Sequence, residues 1–418
     1  MPEIRPFQAI HYDFARYNKD ISNVIAPPYD VLDRDDKKAL LAKDPHNIVA
    51  IDLPHIPPKE EGPQQAYLDA QFNLDMWSNT GVLVRDEKPA LYLYHQIFEY
   101  EGRQLTRRKF IAAVRLHAFE EGVVLPHERT FGGPKADRLA LMKETRCNLS
   151  PVFGLYTDPE DKVGAAFSKT AGREPDATGK LEGIENRLWV VDDSQVIDTV
   201  TSFMADKKIF IADGHHRYTT ALNYRDLVAN QLGERMSADH PANYVMVVLA
   251  SMDDPGCVIQ GYCRVLVGDG VSVGALKEAW SGGVAEAGAA DADLMLYDGA
   301  SKKSMGLKFT NRPILDKLAP DRHESWRKLD IAYLHTYLID DLAAKKMAKA
   351  PEVRYVKSAD MAKSVAEETS GVAVIPKAVP MEQLRAVSEA NELMPQKSTY
   401  FYPKLATGMT IHSLYEEQ

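Results

Sequence analysis

The stretch KKIFIADGHHRYTTALNYR, Lys207 to Arg225, sets Asp213, Gly214, His215, His216 and Arg217 between a short apolar run and a helical pattern. A strand ending at Ala212 and a helix starting near His216 bring free backbone N–H groups and the positive end of a helix dipole to one point, which suits an anion. Gly214 removes the side chain that would block a phosphate, and Arg217 offers a bidentate fork. Asp213 has two readings: it caps the helix, or it holds a Mg²⁺ that accompanies the phosphates. Consecutive histidines point in different directions, so at most one of His215 and His216 faces a ligand, for proton transfer or phosphate contact, while the other packs or orients a neighbour. The competing reading is a plain helix cap with satisfied histidines. Zinc is disfavoured, because neighbouring histidines rarely share a metal and neither HxxxH nor a cysteine pair accompanies them.

Three further clusters carry chemistry. In LPHERTFGGPKADR, His127 and Glu128 form an acid/base pair, Gly132 and Gly133 a bend, and Lys135 and Arg138 two cations for phosphate, with a solvated charged loop as the alternative. In IAPPYD, Tyr29 and Asp30 follow a rigid diproline turn, where a carboxylate can be held to deprotonate a substrate hydroxyl. In MPQKSTYFYPK, Lys397, Ser398, Thr399 and Lys404 suit phosphate, whereas Tyr400, Phe401 and Tyr402 read as core or lid. The expectation is that these clusters converge on one cleft. The chain lacks the P-loop GxxxxGK[ST], the kinase HRD and DFG set and a GxSxG elbow. If the chain transfers phosphoryl groups, it does so outside those frameworks, by positioning and charge neutralisation.

The elements that must position these residues read as mixed α/β. Strands are expected at NIVAIDLP, ALYLYHQIFEY, KFIAAVRL, RLWVVDD, KKIFIA, NYVMVVLA and CVIQGYCRVLV. A helix over QAYLDAQFNLDMWSNTG shows Tyr67, Ala70, Leu74 and Trp77 at helical spacing, and another runs from about Ala136 to Thr145. Tyr218, Ala221 and Leu222 mark the inner face of the helix after the junction. A Gly- and Ala-rich stretch from about Asp269 opens a smaller α/β section whose core helix is WRKLDIAYLHTYLIDDLAAKKM. Three sections result, 1–155, 156–268 and 269–418, expected to pack around one shared cleft.

Composition narrows the classes. A chain of 418 residues with 45% hydrophobic content can bury a large core, and three cysteines without a CxxC pair suit a reducing compartment. The net charge of -10 argues against general nucleic-acid binding. The sequence shows no membrane-spanning run and no signal-peptide pattern at MPEIRPFQAIHYDF, so a cytoplasmic location is expected.

The motifs ADGHHRYTTAL, IAPPYDVLD, PHERT and MPQKSTYFYPKLATG, in that set, resemble the family called domain of unknown function 1015 over nearly the whole chain. The strand, DGHHR, helix element is also similar to the phosphate-binding turn of the ParB and sulfiredoxin superfamily, which includes nucleotide-binding ParB proteins and free serine kinases. The resemblance implies a ParB/sulfiredoxin-like core with added α/β sections. It further implies that Gly214, His215, His216 and Arg217 hold nucleotide phosphates, with Asp213 near the metal or the reacting hydroxyl. Family members carry Thr-His-Arg where this chain has Tyr262, Cys263 and Arg264. Arg264 keeps the cation, and Cys263 either alters the activity or is a packing choice. The function so implied is Mg²⁺-dependent phosphoryl transfer from ATP or ADP to a small hydroxylated metabolite, L-serine first, or phosphoserine dephosphorylation by the same parts, with Asp30 or Glu128 as base. The expected partners are a nucleotide and a small-molecule substrate, a homodimer being one option, with neither nucleic acid nor membrane. Two other classes stand beside it: a nucleotide-binding regulatory switch without turnover, and a metal-dependent hydrolase built on His127, Glu128 and the two histidines.

Overall fold

A computed structural model describes residues 1–58, 60–128 and 133–415 and places them in a mixed α/β fold. The chain groups into two units. Unit 1 comprises Met1–Pro126, Thr130–Cys257 and Pro403–Gln418, and unit 2 comprises His127–Arg129 and Val258–Tyr402.

Unit 1 is built on a nine-stranded sheet. In chain order its strands are β1 (Ile4–Arg5), β2 (Leu91–Tyr100), β3 (Arg103–Arg115), β4 (Val124–Leu125), β5 (Val152–Tyr156), β6 (Ala177–Leu181), β7 (Ile184–Val191), β8 (Ile209–Asp213) and β9 (Tyr244–Ser251). Across the sheet they run β4-β8-β5-β9-β3-β2-β7-β6, with β1 paired to β3. The pairs β4–β8 and β5–β9 are parallel and the rest antiparallel. The helices are α1 (Arg34–Lys43), α2 (Val49–Asp52), α3 (Gln64–Asn79), α4 (Gly133–Thr145), α5 (Lys162–Ala171), α6 (Ser194–Met204) and α7 (His215–Leu232).

One face of the sheet is apolar: Phe110, Trp189, Val247 and Leu249 pack with Val163 and Phe167 of α5 and Val200 and Met204 of α6. Alternation along the strands sends the intervening residues to the other face, and there the register sets Gln96 opposite both Arg107 and Asn186, and Tyr94 opposite Lys109. All five are buried.

Helix α3 buries Tyr67, Ala70, Leu74 and Trp77, the face its spacing predicts, and α4 covers the expected 136–145 helix. NIVAIDLP, expected as a strand, instead forms α2. Asn47 overrides the β-branched run: its Oδ1 accepts from the Val49 amide at 3.0 Å, and its Nδ2 donates to the carbonyls of Asn23 and Ile25.

Unit 2 holds an antiparallel six-stranded sheet, ordered Val284–Ala287, Lys303–Phe309, Leu294–Asp298, Val372–Pro376, Cys263–Val267 and Glu352–Val356. CVIQGYCRVLV, read as one strand, is two, Val258–Gln260 and Cys263–Val267. The long helix expected from Trp326 is broken into Glu324–Arg327, Asp330–Ala332, a π-helical Tyr333–Ala343 and Ala344–Lys346. Among the described residues no helix is long and apolar enough to cross a membrane.

Candidate functional site

Strand β8 ends at Asp213, Gly214 turns the chain at φ 89°, and α7 runs 18 residues from His215. A positive φ costs a β-carbon-bearing residue free energy that glycine avoids. A Cβ at Gly214 would also sit 3.0 Å from Arg217 Nε. Gly214 is the N-cap and no side chain caps the helix, so Asp213 is not the cap that the plain reading assigns it. The first-turn amides of α7 have no intrahelical acceptor.

Pairing of β8 with β5 shifts between Ile211 and Asp213, an irregularity of the kind that re-aims a side chain at a strand end. Asp213 Oδ1 accepts from the Gly214 amide at 2.8 Å and lies 3.7 Å from Arg217 Nη2, while Oδ2 accepts from Lys404 Nζ at 2.6 Å. Burial alone would raise the Asp213 carboxyl, but Lys404 and Arg217 outweigh it and hold the group well below the usual carboxylate range. The side chains of Asp213 and Lys404 stay 25% and 18% exposed, so the pair is reachable from solvent. Arg217 also donates to the Pro151 carbonyl. His215 is buried and His216 half-buried.

A second cluster adjoins this one. Arg138 donates through Nε to Asp137 Oδ2 at 2.8 Å and through Nη1 to the Asp52 carbonyl at 2.6 Å, and its guanidinium lies 4.0 Å above the Tyr29 ring. Asp52 Oδ2 accepts from Ser150 Oγ at 2.6 Å, and Asp137 Oδ1 from Tyr67 OH at 2.9 Å. Burial raises the Asp52 carboxyl above its ordinary value although Arg138, Ser150 and Arg217 pull it down. Arg138, read from the sequence as a phosphate cation, is thus enclosed by carboxylates, and the sequence reading missed Asp52 and Asp137. Burial also pushes the Tyr29 hydroxyl well up, and that hydroxyl feels the charges of Arg138, Asp30 and Arg217. A cavity of about 30 Å³, enough for one water, is lined by Asp52, Arg138, Ser150 and Arg217. Lys135 lies in α4, its side chain outside the described residues, as is Gly132 altogether.

The remaining predicted residues belong to unit 2. His127 Nε2 hydrogen-bonds Thr399 Oγ1 at 2.8 Å, and the Met394 amide donates to the His127 carbonyl. Arg264 is fully buried, donates to the carbonyls of Tyr262, Gln396 and Lys397, and meets His335 Nε2 at 3.0 Å. Burial pushes its pKa down to about 10, with Glu128 among the charges it feels. Arg264 therefore shapes the loop that carries Lys397 at φ 56° and Ser398, whose hydroxyl donates to the Pro395 carbonyl. Cys263 is buried in the unit 2 core, and burial pushes its thiol up to about 11, in line with the packing reading.

The fold and this junction define a mixed α/β protein with a cationic strand–turn–helix site. The chain belongs to the family described as "Protein of unknown function (DUF1015)", which residues 4–332 match. No curated protein matches it. Among solved structures it is similar to a free serine kinase in complex with AMP (13% identity, 72% of this chain and 91% of that one, TM-score 0.32). It is also similar to SbnI with C-terminal truncation from Staphylococcus aureus (10%, 74% and 90%, 0.37) and to a conserved hypothetical protein from Pyrococcus furiosus (14%, 72% and 95%, 0.31). These overlaps are extensive in length and loose in geometry.

Proposed function

We propose that the chain binds a nucleotide by its phosphates at the β8–α7 junction and, with Mg²⁺, transfers a phosphoryl group to a small hydroxylated metabolite, L-serine first. The observation that carries this reading is Gly214: a left-handed glycine at the start of an 18-residue helix, with no side-chain cap, directly after an Asp213 that pairs with Arg217 and Lys404.

Each residue then has a role. The Gly214 turn and the first amides of α7 receive phosphate oxygens. Arg217 adds its charge, and Lys404 turns from Asp213 to the phosphates. His216, at the half-buried position, contacts phosphate. Among the described residues there is no group of three or more His, Cys, Asp or Glu side chains placed to hold a metal. Mg²⁺ fits nonetheless, since it keeps most of its waters and uses one or two carboxylates, and Asp213 is the partly exposed carboxylate that would hold it. Bound there, the ion would offset phosphate charge. The acceptor hydroxyl oxygen bonds to phosphorus as the bond to the nucleotide oxygen breaks, and Asp30 takes the hydroxyl proton. Asp30 lies in the same unit as the junction and is taken as the base in preference to Glu128 and His127 of unit 2.

The test is a turnover assay of purified protein with Mg²⁺, ATP or ADP and L-serine, with phosphoserine hydrolysis alongside. Phosphoserine should form, and Arg217→Ala should lower kcat/KM by roughly 100-fold or more, the scale of a lost charge-stabilising donor. Nucleotide binding without turnover would instead mark a regulatory binding protein, and neither binding nor turnover would reduce the junction to a structural turn.

A further inference from the structure

Lys404 reaches Asp213 because its backbone is fixed to the polar face of the unit 1 sheet. Arg107 donates to the Pro403 carbonyl, Gln96 Nε2 to the Lys404 carbonyl at 2.9 Å, and the Ala406 amide to Tyr94 OH at 3.3 Å. Beneath that segment the network closes on itself. Gln96 Oε1 accepts from both Arg107 and Lys109, while Gln96 Nε2 and Tyr94 OH donate to Asn186 Oδ1 at 3.1 and 2.6 Å. Lys109 Nζ also lies 3.8 Å above the Tyr94 ring. Gln96, Arg107, Lys109 and Asn186 are at most 2% exposed.

The oxygen between two buried cations is the place where a carboxylate would relieve the most unfavourable charge, yet it belongs to a neutral amide. Among the described residues no carboxylate lies within ion-pair distance of Lys109. Burial, and then Arg107, lower the Lys109 ammonium well below its ordinary value, so the arrangement is held at a cost. Burial lowers the Arg107 guanidinium from its ordinary value, and Asp254 and Asp213 are among the charges it feels. Positive potential in a low-dielectric interior reaches further than it would in water.

We propose that Gln96, Arg107 and Lys109 are positioning and specificity residues of the junction: they seat Lys404, and the neutral Gln96 leaves their positive charge available to an anion bound beside Asp213. This rests on the junction being an anion site. It adds that affinity for phosphate-bearing ligands is set partly from behind, by residues buried under the segment at 403–407.

Gln96→Glu changes both the charge and the seating of Lys404, and Lys109→Gln changes the charge alone. A carboxylate at position 96 pairs with both cations but gives up the amide donor that holds Asn186 Oδ1 and the Lys404 carbonyl, so affinity for inorganic pyrophosphate and ATP, measured by titration calorimetry on the full chain, should fall roughly fivefold or more. Lys109→Gln removes one cation without adding charge. It should weaken both ligands in the same direction, which keeps the test available if Gln96→Glu does not fold. Unchanged affinity in Gln96→Glu, or Lys109→Gln binding as tightly as the unchanged chain, would overturn the inference and leave the junction standing as an anion site. Failure of the unchanged chain to bind either ligand would remove the junction reading itself, and this inference with it.

Discussion

At the β8–α7 junction one carboxylate, Asp213, faces two cations, whereas at α4 one cation, Arg138, faces two carboxylates. The first cluster is positive in balance and partly open. The second is negative in balance and closed, with the side chains of Arg138, Asp52 and Asp137 6%, 5% and 1% exposed. Arg217 adjoins both, since Asp52 and Tyr29 feel its charge as well as Asp213. The difference teaches that an arginine in a polar motif becomes a ligand cation only where counter-charge and burial leave it surplus. Arg138 anchors α2 and α4, and Arg217 and Lys404 keep positive charge at an accessible edge.

The comparison breaks most sharply at Arg138. Arg138→Ala leaves Asp52 and Asp137 buried without their shared cation, and urea unfolding should show a loss of about 3–5 kcal/mol. Equal loss of stability in Arg217→Ala would contradict the distinction, because Arg217 should matter to anion affinity more than to folding. Next in size is Gly214→Ala, which forces a β-carbon into a left-handed turn and against Arg217. It should cost about 1–2 kcal/mol and weaken nucleotide binding, read by unfolding and titration on the same variant.

The subtlest test uses pH, where the clusters carry opposite signs. Asp213 is depressed in the folded chain, so its contribution is present above the unfolded value of about 3.9 and is lost as pH falls through its lower native value. Asp52 is raised, so ionising it in the folded chain removes stability as pH climbs from about 3.9 through its higher native value. The unfolding penalty of Asp213→Asn should therefore shrink from about pH 6 to about pH 3.5, and that of Asp52→Asn should grow over the same interval. Parallel pH dependences would show that the two carboxylates sit in alike environments.

Much of the junction is legible in one line of sequence, because Asp213, Gly214 and Arg217 lie within one strand–turn–helix step whose local chemistry fixes their relation. Lys404 was visible as a cation, but its partner was not, since 191 positions separate the two. Asp52 was hidden for a related reason: a β-branched run suggested a strand, and only the distant carbonyls of Asn23 and Ile25, gripped by Asn47, make it a helix. Gln96, Arg107 and Lys109 did not stand out, being polar residues spaced two apart or set singly among apolar ones on two strands. Strand alternation puts them on one face, but nothing local says what covers that face.

The segment at 403–407 has a consequence for the order in which the molecule is made. Its contacts span 296 positions from Arg107 and 308 from Gln96, so on the ribosome these strands emerge long before the backbone that covers them. Contacts of such separation form late and slow folding, because chain closure must precede any reward. Until Pro403 and Lys404 arrive, Arg107 and Gln96 lack their backbone acceptors, and a nascent chain carries an unfinished polar core. Seating the segment at 403–407 also creates the Lys404–Asp213 pair, so that pair appears only with these late, long-range contacts.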